Sequence, residues 1–282
     1  MGWRQFFTPV RSMSAPEARS FMEKLAANQF QLVDVRQPGE YRRGHLPGAR
    51  LVPMADLGAE SEGLDPDKPT LVYCAIGGRS RIAAQMLAGK GFSQVINLSG
   101  GIKAWSDNVA VGPEDAGLEL FSGTETLPEV LTIAYGLESA LQDFYRSMAD
   151  TMKRHDVRDL FQLLASIEAK HRRQIAERYR QLQAEEEGLP PLGEQAAGEA
   201  LEGGLTTEQY LDLYQPDLEK PEEVVALAMA IEAQALDLYQ RAADRNASST
   251  AREGLMTIAE EEREHIRRLG ALLEAETDAG RR

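Results

Sequence analysis

The chain has 282 residues, enough for two domains of ordinary size, with 31 Lys and Arg against 45 Asp and Glu, a net charge of −14 and a single cysteine. One cysteine excludes an intrachain disulfide, a Cys-rich zinc site and an iron–sulfur or rubredoxin-type centre, and the acidic balance argues against a general nucleic-acid binder, which neutralises phosphates with basic surface. No apolar run approaches 18 residues, so no membrane span is expected, and the start MGWRQFFTPVRSMS lacks the apolar core and cleavage site of a secretory signal; a reducing, cytoplasmic setting is the expectation.

In chain order, Ser14 opens a predicted helix over about 15–28, with Pro16 in its first turn and Glu17 placed for a capping box. The segments QLVDV (31–35), TLVYC (70–74) and QVINL (94–98) are short, apolar and bounded by turn residues, as buried strands are. A second helix is predicted over about 80–90. Alternating strands and helices predict a parallel sheet covered by helices. Residues 1–110 carry 13 Lys and Arg against 10 Asp and Glu, a net of +3, while the remainder carries 18 against 35, a net of −17. This shift predicts a domain over 1–110, a Gly/Pro/acidic linker over 111–126 and a second domain over 127–282. Trp3, Phe6 and Phe7 are apolar residues that would pack across the junction.

Beyond the linker the strand signals vanish. Long helical patterns run over about 128–151, 156–187, 221–246 and 248–276, with Pro128 and Pro221 in first-turn positions. A short helix is predicted over 207–214, inside the long connection between the second and third. Two helix pairs joined by a long crossover is the ferritin-like topology. The pairs repeat at an offset of 94 residues: Glu138, Asp143 and Tyr145 recur as Glu232, Asp237 and Tyr239, and Glu168 and His171 recur as Glu262 and His265.

Cys74 ends a predicted strand, and AIGGRS leads from it into a helix. Backbone N–H groups of such a loop and the helix N-terminus converge on the sulfur and lower its pKa. Arg79 offers a planar cation for an oxyanion beside it. With LVDVRQPGEYRRGHLPGAR (32–50), CAIGGRS (74–80) and INLSGGIKAW (96–105), the region resembles the rhodanese family of sulfurtransferases. The resemblance implies that Cys74 is a nucleophile that accepts a sulfane sulfur and passes it on. It implies that Ala75, Ile76, Gly77, Gly78 and Ser80 form the cradle, and that Arg79 assists with an anionic donor such as thiosulfate. Four residues between Cys74 and Arg79 favour sulfur over phosphate in that superfamily. Arg36 is a further candidate for substrate binding, Asp34 a supporting residue, His45 a structural hydrogen-bonder and Trp105 a packing anchor.

In the second half, a Glu and a His three apart share one helix face. Glu138 and Glu232, on the preceding helices, stand among apolar residues, where a carboxylate is costly unless paired or ligating. Four carboxylates and two imidazoles converging in a bundle make a di-iron or di-manganese site. Residues 127–276 resemble the ferritin-like di-iron superfamily, rubrerythrins in particular. The resemblance implies Glu138, Glu168, His171, Glu232, Glu262 and His265 as ligands of two iron ions, or manganese. Tyr145 and Tyr239 would orient carboxylates; Asp143 and Asp237 face solvent or orient a histidine. With no internal rubredoxin, electrons would come from an external donor protein or from sulfur chemistry at Cys74.

The expected fold is therefore two-domain: an α/β rhodanese-like parallel sheet with flanking helices, then an all-α ferritin-like four-helix bundle. Three functions stay open. One is a sulfurtransferase that forms a Cys74 persulfide from thiosulfate or a persulfide donor and discharges it to a thiol acceptor. Another is a di-iron peroxidase or oxidoreductase served by the sulfur domain. The third is a non-enzymatic iron-handling or persulfide-binding protein. A homodimer is expected, without nucleic-acid or membrane partners.

Overall fold

A computed structural model describes residues 9–105, 109–186, 188–193 and 200–280; Trp3, Phe6 and Phe7 lie outside these. The division between two units falls between Asp115 and Ala116.

The first unit is built on five parallel strands: β1 (Arg11–Met13), β2 (Gln31–Asp34), β3 (Arg50–Leu51), β4 (Thr70–Tyr73) and β5 (Val95–Leu98), in the order β1-β5-β4-β2-β3. The helices α1 (Ala15–Met22), α2 (Pro38–Arg42), α3 (Leu57–Glu60) and α4 (Gly78–Gly89) connect them. Strand alternation divides the core in two. Leu71, Tyr73, Ile96 and Leu98 pack with Leu32, Tyr41 and Leu46. Val72, Cys74 and Val95 pack on the other side with Ala83, Ala84 and Leu87 of α4. A sheet buried on both faces needs the continuous apolar runs that mark β4 and β5. The Ser14 capping box is present, with the Ser14 amide and hydroxyl both donating to Glu17 Oε2, at 2.8 and 2.7 Å. Trp105 anchors the end of the unit, packed against the first core with the Arg19 guanidinium 5.1 Å from its ring centre.

The second unit contains α5 (Leu127–Thr151), α6 (His155–Glu185), α7 (Thr207–Tyr214), α8 (Pro221–Arg245) and α9 (Ser249–Gly280). Its apolar interior falls into two clusters separated by a polar layer. Leu137, Ile175, Ala235 and Ala259 belong to one cluster. Leu141, Ala165, Ile231 and Leu269 belong to the other. Between them, on α5, α6, α8 and α9 in turn, stand Glu138, the Glu168–His171 pair, Glu232 and the Glu262–His265 pair, all buried. No described helix is long and apolar enough to cross a membrane.

The stretch 111–126 is not the linker its composition predicts. Glu114 accepts the Leu51 amide in the first unit. Leu118 and Phe121 bury themselves in the bundle core, and the Asn246 side chain donates to Glu125. Glycine and proline there mark turns, not a lack of packing.

Candidate active site and metal centre

Cys74 lies just beyond the C-terminal end of β4, where open α/β sheets gather their ligands, and α4 begins four residues later. Gly77 takes φ +93° to turn the chain into that helix, a conformation that favours glycine. The Cys74 Sγ accepts the Gly77 amide at 3.1 Å and lies 3.5 Å from the Ser80 hydroxyl. Burial pushes the thiol pKa up, but hydrogen bonds from the Ser80 hydroxyl and from the Ser80, Ile76 and Gly77 amides outweigh it, and the net shift is downward. Ser80 has one hydroxyl proton and a second acceptor, Asn97 Oδ1, at 2.7 Å. Asn97 is itself held by donating to Ser12. The signal for Asn97 in the sequence is a lone amide in an apolar strand. Ile76, at the loop apex, is 68% exposed, and Cys74 is buried.

Arg79 is engaged more fully than the sequence reading anticipates. Its guanidinium donates to both Glu40 oxygens, at 2.8 and 2.7 Å, and this holds the Glu40 carboxyl down at about 2. An anionic donor bound beside Cys74 would compete with Glu40 for that cation. Glu40→Gln is therefore expected to lower the KM for thiosulfate by up to about five-fold, matching the ~1 kcal/mol upper range of a partly exposed ion pair. Steady-state kinetics with thiosulfate against an uncharged sulfane donor checks this; the second KM should stay unchanged.

The structure overturns the substrate-binding assignment of Arg36. The side chain is buried, donates to both Asp34 oxygens and donates to the Gly44 carbonyl at 2.6 Å. Asp34 and Arg36 form a structural pair that fixes the chain after β2. His45 is also structural, stacked 3.6 Å from the Tyr41 ring with Nδ1 3.1 Å from the Tyr41 carbonyl.

In the bundle the structure brings all six sequence-predicted ligands together. His171 Nδ1 lies 2.9 Å from Glu168 Oε2 and 3.8 Å from Glu138 Oε2. His265 Nδ1 lies 2.7 Å from Glu262 Oε2 and 3.5 Å from Glu232 Oε2. The imidazoles stack with centroids 3.6 Å apart and planes 5° from parallel. Ligand atoms of each Glu–Glu–His set lie within 4.8 Å of one another. A fifth buried carboxylate, Glu202 from the connection between α6 and α7, joins the layer. It has no counterpart in the 94-residue repeat, so the pattern that reveals the other six is blind to it.

Burial and neighbouring carboxylates push Glu138, Glu202 and Glu262 well above the ordinary carboxylate range. Glu138 Oε2, Glu202 Oε2 and Glu232 Oε2 have no hydrogen-bond partner among the described residues. Buried carboxylate oxygens left unpaired are costly, and divalent cations would satisfy them. The donor set, carboxylate oxygen with imidazole nitrogen, suits iron or manganese. The residues therefore fit a pair of such ions. A surface cavity of about 260 Å³ reaches both histidines and is rimmed by Lys170, Glu260, Glu264 and Arg268.

The surrounding groups separate. The Tyr239 hydroxyl donates to Glu202 Oε1 at 3.2 Å, an orienting contact. The buried Tyr145 hydroxyl has no partner among the described residues; its ring packs against Phe144 and Phe161, so its predicted orienting role gives way to packing. Asp143 is exposed, 3.6 Å from Arg146. Asp237 is buried and pairs with Arg241 at 2.7 Å rather than with a histidine.

Comparisons with known proteins divide along the same line. The family "Rhodanese-like domain" matches residues 17–108, and "Rubrerythrin" matches residues 129–273. The chain is 37% identical over 103 residues to a protein of Arabidopsis thaliana named rhodanese-like/PpiC domain-containing protein 12, chloroplastic, covering 35% of this chain and 34% of that one. It is 34% identical over 91 residues to a protein of Allochromatium vinosum named sulfurtransferase, covering 32% of this chain and 85% of that one. Among solved structures, a rhodanese-like domain protein from Staphylococcus aureus is 27% identical, covering 36% of this chain and 98% of that one, with a TM-score of 0.33. The chain thus spans about a third of the Arabidopsis protein. The match over residues 129–273 takes in the whole carboxylate–histidine layer, and the chain belongs to the rubrerythrin family, with a rhodanese-like domain as its N-terminal unit.

Proposed function

We propose that the first unit is a sulfurtransferase that works through a Cys74 persulfide and that the second binds two iron ions. The observation that carries the first part is the Cys74 sulfur, surrounded by amides and the Ser80 hydroxyl that favour its anion. The thiolate attacks the outer sulfur of an anionic donor such as thiosulfate. A bond forms between Sγ and that sulfur, the bond to the sulfonate sulfur breaks, and its electron pair leaves with sulfite. The same loop amides then face the persulfide anion. Attack by a thiol acceptor, or by cyanide in an assay, removes the outer sulfur and restores the Cys74 thiolate. Such a cycle is ping-pong. Arg79 holds the donor's sulfonate once Glu40 yields it.

In the bundle, Glu138, Glu168, His171, Glu232, Glu262 and His265 would hold the ions. A bound iron pair would supply one-electron redox chemistry. The residues around it exclude water from the carboxylate side and leave the cavity at His171 and His265 as the approach for a small oxidant. That cavity favours a second reading, in which peroxide or dioxygen is reduced there with electrons from an external donor protein and the sulfur unit acts as relay or sensor. A homodimer and a cytoplasmic setting complete the proposal.

Two measurements on the purified chain test it. Thiosulfate:cyanide sulfurtransfer with parallel initial-rate lines is the expected kinetic result. Close to two irons per chain is the expected metal content. Absence of sulfurtransfer, or failure to load iron or manganese, removes the corresponding half. A thiosulfate-dependent change in the iron spectrum would connect the two chemistries.

A further inference from the structure

We propose that Glu202 is a seventh protein ligand of the metal centre, an ionised carboxylate shared by both ions; this rests on the reading that the bundle binds two of them. Glu202 is 0% exposed. Its carboxylate oxygens lie within 4.8 Å of ligand atoms in two sets, one with Glu138 and Glu262, the other with Glu168 and Glu232. Each set takes one carboxylate from either helix pair. Among the described residues, Glu202 thus meets carboxylates of both helix pairs, and it belongs to neither repeat. No histidine is in these two sets, so Glu202 closes the layer from the crossover side while the imidazoles face the cavity.

The chain around Glu202 is built to deliver it. The Leu201 amide donates to the Leu205 carbonyl and the Gly204 amide to the Leu201 carbonyl, at 2.8 and 3.0 Å, which makes a tight turn. Gly203 and Gly204 both take φ +84°. A Cβ on Gly203 would collide with the Tyr210 hydroxyl and the Gln234 side chain. That hydroxyl donates to the Glu202 carbonyl at 2.8 Å. The Tyr239 hydroxyl fixes Oε1, and Oε2 is left buried with no hydrogen-bond partner among the described residues. A carboxylate held by its backbone and one oxygen, with the other oxygen directed into a set of carboxylates, is the arrangement of a ligand. A structural acid would have both oxygens satisfied.

Charge adds a consequence. Four carboxylates balance two divalent cations. A fifth leaves the centre one negative charge in excess and favours the higher oxidation state of the ions. Removing it should shift the reduction potential of the iron pair upward.

The test uses the full chain and Co(II), whose visible absorption reports coordination number. Wild-type protein is expected to bind two Co(II). Glu202→Gln keeps shape and hydrogen bonding to Tyr239 but removes the charge. It is expected to weaken binding of at least one ion by at least about ten-fold and to change the visible band. Tyr239→Phe keeps the carboxylate and should retain both ions. Unchanged affinities and spectra in Glu202→Gln overturn the assignment while leaving the two-metal reading intact. Fewer than two Co(II) bound by wild type overturns the two-metal reading itself and this inference with it. Should Glu202→Gln fail to fold, as judged by helical circular dichroism, Glu202→Asp, with a carboxylate one methylene shorter, takes its place. It should fold, with one ion weakened; full-strength binding of both ions overturns the inference.

Discussion

Replacing Cys74 by serine is expected to reduce sulfurtransfer by at least about a thousand-fold, the scale seen when a covalent nucleophile is removed. A serine hydroxyl does not ionise in this cradle, and oxygen forms no persulfide. The loss should fall on kcat, since the loop that receives the donor is otherwise intact. Mass spectrometry after thiosulfate treatment gives an independent readout: a gain of one sulfur atom on wild-type protein and none on Cys74→Ser. Sulfurtransfer surviving in the variant would place the chemistry elsewhere. Metal content should be the same in both proteins.

The second large effect concerns the bundle without metal. Glu138, Glu202 and Glu262 have folded-state pKa values raised well above 4.5 by burial and by neighbouring carboxylates. An acid whose pKa is raised on folding stabilises the fold below its unfolded value, and that contribution is lost as pH climbs through the folded value. The metal-free bundle should therefore lose stability steadily as pH rises above 4.5. Loading reverses the trend, because cations replace the protons the site holds at low pH. With free metal at 100 times its Kd, each bound ion stabilises by about 2.7 kcal/mol, or roughly 5–10 °C in Tm for a unit of this size. Calorimetric scans from pH 5 to pH 8, with and without metal, measure both trends. A metal-free Tm that rises across this range would contradict the assignment of raised carboxylates.

Much of the fold is legible in the sequence. Pro128 marks the start of α5 in the sequence, and the structure adds a capping box of Thr126 and Glu129 at the same boundary. The duplication brings four carboxylates and two imidazoles together because a repeated helix pair repeats its inward face. What escaped had physical reasons. β1 and β3 are three and two residues long, too short for alternation to register, and they lie at the sheet edges. Leu118 and Phe121 were hidden in a segment rich in turn residues, yet two apolar side chains suffice to bind a turn to a bundle. Glu40 and Arg79 are distant in sequence, and only the fold shows that the cation already has a partner. Glu202 follows no period and caps no helix.

The turn at Gly100–Gly101 holds the chain that follows Cys74. The Ile102 amide donates to the Cys74 carbonyl and the Lys103 amide to the Ala75 carbonyl, at 2.9 and 3.1 Å. A Cβ on Gly101 would strike that same Cys74 carbonyl. In a trans peptide the C=O and N–H point in opposite directions. Fastening the Cys74 and Ala75 carbonyls on one side thus swings the following N–H groups to the other, and the Ile76 amide then reaches the sulfur. The peptide planes around Cys74 are aimed by a turn some twenty-five residues downstream, which acts on the sulfur's charge without touching it.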